Sequence, residues 1–161
     1  MRPFTRMRSR PLPRVDAQVL TPDDWALWRE LRLAALAEAP AAFGSTLAEW
    51  RDADETRWRK RLSDVALNLV LRLGGEPAGM VSATSDPVEL ISMWIAPFAR
   101  GRGVGDAAIA HVVDWAGGRE VILSVKAANE PAIRLYTRHG FVDAGPSPDD
   151  RCELLMRRAH S

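Results

Sequence analysis

The chain has 161 residues, 47% of them hydrophobic and 27% charged, with a formal net charge of +1. That length suits one domain with a core of ordinary size, and the balance excludes a disordered or fibrous chain. No apolar run reaches the roughly 18 residues of a membrane span. A single cysteine, Cys152, leaves no internal disulfide to form and fits a reducing, cytoplasmic setting.

Residues 1–14 hold five arginines, at 2, 6, 8, 10 and 14, and no acid. Without them 17 basic residues face 21 acidic ones, so the body carries about −4. The stretch reads as a flexible basic tail. A nucleic-acid or membrane contact is the other reading of such a charge run. Nothing in it alternates aromatics with basic residues as a single-strand-binding surface does, and it lacks the apolar segment of a secretory signal. No nucleic-acid or membrane partner is therefore expected. Residues 15–161 read as one domain.

Val15 to Leu20 alternates and predicts a first strand. Thr21-Pro22-Asp23-Asp24 is a helix start, with a capping hydroxyl, proline at the first position and acids in the first turn. The helix should run from Asp23 to about Glu38, carrying Trp25, Trp28, Leu31, Leu33 and Leu36, and stop before Pro40. After a loop over 39–46, a second helix is expected from about Leu47 to Leu62, dense in charges and holding Trp50 and Trp58. Three apolar runs follow: Ala66 to Leu73, Ala78 to Thr84, and Val88 to Ile95. Gly74-Gly75-Glu76-Pro77 joins the first two as a hairpin, and Ser85-Asp86-Pro87 makes the next turn.

Pro97 stops the third run. Arg100-Gly101-Arg102-Gly103-Val104-Gly105 follows, and then Ala108, Ile109, Val112, Val113 and Ala116 at the spacing of a helix laid on a sheet. A strand, a glycine-rich turn and a helix N-terminus aim backbone N–H groups and a positive dipole end at one place, which suits an anion. Two arginines add charge there. A Walker loop would need a lysine that is absent, and the dinucleotide fingerprint fails because the sixth position from Gly101 is Asp106. Val121 to Val125 predicts another strand. Asn129 caps a helix that has Pro131 in its first turn and ends at Gly140. Phe141 to Ala144 and Cys152 to Met156 complete a last strand pair. Short turns early and helical crossovers late require mixed pairing in the sheet.

Two blocks carry a family likeness. The string R-x-x-G-x-G at Arg100–Gly105 and the string N-x-x-A-x-x-L-Y-x-x-x-G-F, met by Asn129, Ala132, Leu135, Tyr136, Gly140 and Phe141, resemble the GNAT superfamily of acetyl-CoA-dependent N-acetyltransferases. The resemblance covers about residues 15–157 and is most specific over 88–141. It implies the α/β GNAT fold: a central mixed, mostly antiparallel sheet of about six to seven strands flanked by about four helices. The fourth and fifth strands should splay, so that the pantetheine arm of acetyl-CoA enters the gap. It also implies a primary amine of a small molecule or peptide as acceptor, and a homodimer. Carried over residue by residue, the cofactor anchor is Arg100, Gly101, Arg102, Gly103, Val104, Gly105 and Asp106, acting mainly through backbone N–H groups. Main-chain atoms of Met93, Trp94 and Ile95 would hold the pantetheine and carbonyl. Asn129, Ala132 and Tyr136 would line the other side.

Acetyl transfer needs a neutral amine, whose ammonium starts with a pKa near about 10, and a proton for the departing thiolate. Glu89, at the start of the fourth strand, is the best-placed base, on one face with Ile91 and Met93 by the period of two. It reads equally as a solvated strand-end charge. Tyr136, the only tyrosine, matches the acid of relatives and is a neutral donor at pH 7. It could also simply pack against the sheet. By the resemblance the acceptor lies between the loop with Phe43, Gly44 and Ser45 and the loop with Asp149 and Asp150. Those acids either attract a cationic amine or form a solvated turn. Ser124 could line the groove or sit in the core. His111, His139 and His160 do not cluster at ligand spacing, so no metal is expected, and Cys152 reads as packing. A non-catalytic acyl-CoA-binding module, with the anchor kept and the chemistry lost, is the alternative function.

Overall fold

The computed structural model describes residues 14–43 and 45–160; residues 1–13 of the basic tail, and Gly44, lie outside the described residues. Strand β1 (Val15–Val19) leads through a 3₁₀ turn (Pro22–Asp24) into α1 (Trp25–Glu38). The start is a capping box, in which the Thr21 N–H donates to Asp24 Oδ2 at 2.8 Å. Next come a 3₁₀ turn (Pro40–Ala42), α2 (Leu47–Arg51), α3 (Glu55–Asp64), and strands β2 (Leu67–Leu73), β3 (Glu76–Ala83) and β4 (Val88–Ile95). Gly74 and Gly75 take φ of 59° and 87°, so the β2–β3 hairpin closes on two left-handed residues. A 3₁₀ turn (Pro97–Ala99), α4 (Val104–Ala116), β5 (Val121–Lys126), α5 (Glu130–Arg138), β6 (Val142–Pro146) and β7 (Glu153–Arg158) finish the chain.

The single helix expected over Leu47 to Leu62 is two helices, making five in all among the described residues. Asp54 causes the break. Its side chain accepts the Arg57 N–H at 2.9 Å and so restarts the helix as a cap, a role aspartate fills better than a mid-helix position.

The seven strands lie in the order β1-β2-β3-β4-β5-β7-β6, antiparallel at every neighbour except β4–β5. The parallel pairing holds only at Val88 with Val121 and Glu89 with Ile122. Beyond it the strands part. This is the mixed sheet, open between its fourth and fifth strands, that the sequence led us to expect.

One face of the sheet buries Leu69, Leu71, Val81 and Leu90 against α4 and α5, whose Ile109, Val112 and Tyr136 join the same cluster. The other buries Val70, Met80 and Trp94 against Trp28, Leu31, Trp58 and Leu62 of α1 and α3. Trp28 and Trp58 are fully buried, so truncating either to alanine would cost about 3–5 kcal/mol. No helix among the described residues is long and apolar enough to cross a membrane.

A bulge corrects the expected faces of β4. Met80 pairs with Trp94 but Ser82 pairs with Ile91, which leaves one extra residue on β4, and Ser92 takes a left-handed φ of 54°. Met93 and Ile95 therefore pack on the α4 side, with Val88 and Leu90, while Trp94 faces α1. Glu89 and Met93 do not share a face, because the extra residue resets the period of two.

Candidate active site

Where β4 and β5 part, a cleft of about 770 Å³ opens between the outer half of β4, the turn before α4, α5 and the end of α1. Met93, Trp94 and Ile95 line it, and so do Asn129, Ala132 and Tyr136. Of the glycine turn, Arg100, Gly101, Gly103, Val104, Gly105 and Asp106 reach the cleft, whereas Arg102 is exposed and does not line it.

The N-terminus of α4 meets the cleft uncapped. Gly103, at φ 82°, has no side chain to offer, and the first backbone bond runs from the Ala107 N–H to Gly103 O at 3.0 Å. The N–H groups of the first turn have no intrahelical acceptor. A Cβ on Gly101 or Gly103 would meet nothing within 4 Å. Glycine is needed there for backbone conformation, and the space in front is open. Gly105 serves a different end: a Cβ would stand 2.9 Å from Leu135 Cδ2, so its absence lets α5 close on α4.

The charged neighbours are already engaged. Arg100 folds back, donating Nε to Ile95 O at 3.1 Å and Nη2 to Glu38 Oε2 at 2.8 Å. The same Glu38 oxygen accepts the Trp94 indole N–H at 2.9 Å. Arg100 first, and Trp94 second, hold the Glu38 carboxyl below its usual range. Arg100 thus braces the end of β4 more than it charges the turn. Asp106 accepts from His139 Nε2 at 2.8 Å and Arg138 Nη2 at 3.0 Å, which pulls its carboxyl below the usual range and ties α5 to the start of α4. Asn129 Oδ1 accepts the Ala132 N–H at 3.3 Å, capping α5 as expected.

Tyr136 is buried, its ring edge-on to Phe141 at 5.9 Å, and its hydroxyl lies 3.8 Å from Met93 Sδ. Burial pushes the phenol up to about 12. Glu89 is half-buried at the closed end of the gap and does not line the cleft. Burial, and then the field of Asp149, raise its carboxyl above the ordinary value. Asp150 is tied down instead: it accepts the Cys152 N–H at 2.8 Å and Lys126 Nζ at 2.9 Å. Those bonds, the backbone one first, hold its carboxyl low. The two adjacent acids therefore do not act as a pair.

Phe43 lines the cleft; Ser45 is half-buried and does not. Ser124 lines it too, its Oγ 3.1 Å from Ser147 Oγ. Glu38 and Lys126 also line the cleft, and sequence reasoning missed both. Glu38 carried one signal, its place as the last helical residue before Ala39-Pro40.

Residues 26–141 match the family described as Acetyltransferase (GNAT) family. The chain belongs to this family. A streptothricin acetyltransferase of Streptomyces lavendulae is 32% identical to this GNAT chain over 105 residues, 63% of this chain and 52% of that protein. A Mycobacterium leprae protein is 38% identical over 60 residues, 37% of this chain and 17% of its own. The chain thus spans about half, or less, of the length of the curated relatives it matches. Among solved structures, a GNAT acetyltransferase of Streptococcus pneumoniae superposes with a TM-score of 0.73 at 21% identity, covering 92% of this chain and 100% of that one. The PaiA N-acetyltransferase of Thermoplasma acidophilum, solved with coenzyme A, gives 0.71 at 13% identity, over 91% and 99%. At those identities the likeness establishes the fold, and the GNAT chain has it in full.

Proposed function

We propose that this GNAT protein is an N-acetyltransferase that moves the acetyl group of acetyl-CoA to a primary amine of a small molecule or peptide by direct attack. The observation that carries the reading is the convergence on one cleft of an uncapped helix N-terminus and a buried phenol whose hydroxyl has, among the described residues, only a thioether for a partner.

The residues fit the cofactor. Open space before Gly101 and Gly103 admits phosphate oxygens to the first-turn N–H groups of α4. Past Glu89 the edge of β4 has no ladder partner in β5, so its N–H and C=O groups suit the amides of an extended arm. Bound there, acetyl-CoA supplies an activated acetyl thioester. Met93, Trp94 and Ile95 hold the arm and polarise the carbonyl. Tyr136 keeps its proton on Oη at neutral pH and gives it to the departing sulfur. Glu89, with its raised carboxyl, takes the proton of the amine through intervening water, since it stands outside the cleft lining. Phe43 faces the acceptor in this reading, with Ser45 and Asp149 beyond the cleft lining, and Gly44 belongs to the loop of Phe43 and Ser45. The relative named for streptothricin supports a small-molecule acceptor. Residues 15–161 act as a single domain, cytoplasmic and homodimeric; light scattering after gel filtration tests the dimer.

The deciding experiment incubates the protein with acetyl-CoA and a panel of amines and follows thiol release. Release that depends on an amine supports transfer. Tight acetyl-CoA binding with no amine-dependent release would favour a non-catalytic acyl-CoA-binding module.

A further inference from the structure

Three buried side-chain donors lack a hydrogen-bond partner among the described residues: Trp28 Nε1, Arg32 Nη1 and Trp50 Nε1. All belong to α1 or α2, and none is an acceptor. Trp28 and Arg32, four residues apart, share one face of α1. Arg32 is only 7% exposed, and burial brings its guanidinium down to about 10, so it stays charged at neutral pH. Arg61 of α3 stacks over the Trp28 ring at 5.1 Å. Burial, followed by repulsion from Arg32, lowers it too.

Arg61 donates to Asn68 Oδ1 at 2.9 Å, Ser82 Oγ at 3.3 Å and Ser92 Oγ at 3.2 Å, all neutral. Asp64 reaches it only through its field. A buried cation, Arg32, and a half-buried one, Arg61, thus lie close together with no carboxylate bonded to either among the described residues, an arrangement that burial penalises unless an anion offsets it. The pair sits just behind the cleft. Arg32 lies 4.8 Å over the ring of Phe43, and both Phe43 and Ser92 line the cleft. The β4 bulge, with its left-handed Ser92, is what turns that serine toward Arg61.

We propose that the amine acceptor carries a carboxylate, received by Arg32 and Arg61 with the Trp28 indole N–H on the α1–α3 side of the β4 bulge. The inference rests on the acetyl-transfer reading of the cleft and narrows its acceptor to amino acids or peptides with a free carboxylate. Guanidinium forks match the oxygens of a planar carboxylate in pairs.

The test compares a panel of amino acids with their carboxamides, by thermal shift and by thiol release from acetyl-CoA. At least one acid should raise the melting temperature saturably and bind at least tenfold tighter than its amide. Arg32→Met should erase that preference while melting no lower than the parent, because it removes an unpaired buried charge. Arg32→Lys, which keeps the charge but not the fork, should weaken acid binding about tenfold. No acid outperforming its amide, a preference that survives Arg32→Met, or a large loss of stability in Arg32→Met with none in Arg32→Lys would overturn the proposal. Acid-selective binding without thiol release would leave this site standing and remove the transfer reading. Thiol release with amides as readily as with acids would do the reverse.

Discussion

The hydroxyl of Tyr136 lies 3.8 Å from the sulfur of Met93, across the seam between α5 and the bulged end of β4. A thioether is a weak acceptor, so the phenolic proton is free to be handed elsewhere. Burial ensures that it is there to hand over, since the phenol does not titrate until about 12.

Replacing Tyr136 by phenylalanine should lower kcat by roughly 10²–10⁴-fold and leave the acetyl-CoA Kd, read by calorimetry, within about twofold. The pH profile adds a second check. A group titrating near 12 cannot produce an alkaline limb below pH 10, so any such limb should persist unchanged in the variant. Full turnover in Tyr136→Phe would remove the hydroxyl from the chemistry.

Glu89 should set the acid limb. Its carboxyl is raised by burial and by Asp149, so kcat/KM should drop as pH falls, with the drop centred above the ordinary glutamate range. Asp149→Asn removes the repulsion and should move that limb to lower pH; Asp150→Asn, whose carboxylate is bonded to Lys126, should not. Glu89→Gln should abolish the limb. A carboxyl raised in the folded state contributes stability below its unfolded pKa and loses it as pH rises through the folded one. At pH 7, Glu89→Gln should therefore melt no lower than the parent.

Two glycines should fail in different ways. A Cβ at Gly79 would stand 2.8 Å from Trp94 O, a backbone atom, so Gly79→Ala must push β3 from β4 at a cost of about 1–3 kcal/mol. At Gly103 the Cβ meets nothing, and alanine faces only the left-handed strain of about 1–2 kcal/mol. Urea midpoints should drop in both. Only Gly103→Ala should also weaken acetyl-CoA binding several-fold, by turning the first N–H groups of α4.

Glu38→Gln loosens Arg100 and Trp94 together. The pair with Arg100 is half open to solvent, so the stability lost at pH 7 should stay within about 1 kcal/mol. Glu38 is lowered in the folded state, so its contribution is present above the unfolded pKa and fades as pH falls through the folded one. Melting curves of parent and variant should draw together only as pH falls below the ordinary glutamate range. The larger effect should be a raised KM for acetyl-CoA, since Arg100 also holds the Ile95 carbonyl.

The strand, glycine turn and helix of the anchor were legible because their geometry demands particular letters. Gly101 and Gly103 take positive φ, Asn129 caps, and Gly140 at φ 88° ends α5. The bulge left no such mark. Ser92 is an unremarkable letter, and its left-handed backbone follows from the register of β3 on β4, a tertiary matter that moved Met93 to the other face. Asp149 and Asp150 look alike in sequence and part company only because Lys126 and the Cys152 N–H claim the second. The break before α3 was readable in the Asp54-Glu55 start but was masked by helical spacing that runs on from Trp50 to Trp58. Arg32 was readable too: it sits between Trp28 and Ala35 on a stripe that should be apolar, and both of those neighbours are fully buried.

The seam between the two portions of the sheet is short, since the β4–β5 ladder ends after Glu89 and Ile122. Whatever fills the rest of that opening becomes mortar between two slabs, one built on β1 to β4 and the other on β5 to β7. Its affinity is then also cohesion, worth about 2.7 kcal/mol at a hundredfold excess over Kd. Amide exchange should slow on both banks of the gap at once, in β5 and α5 as much as in the outer half of β4, while the β1–β2 edge keeps its own pace.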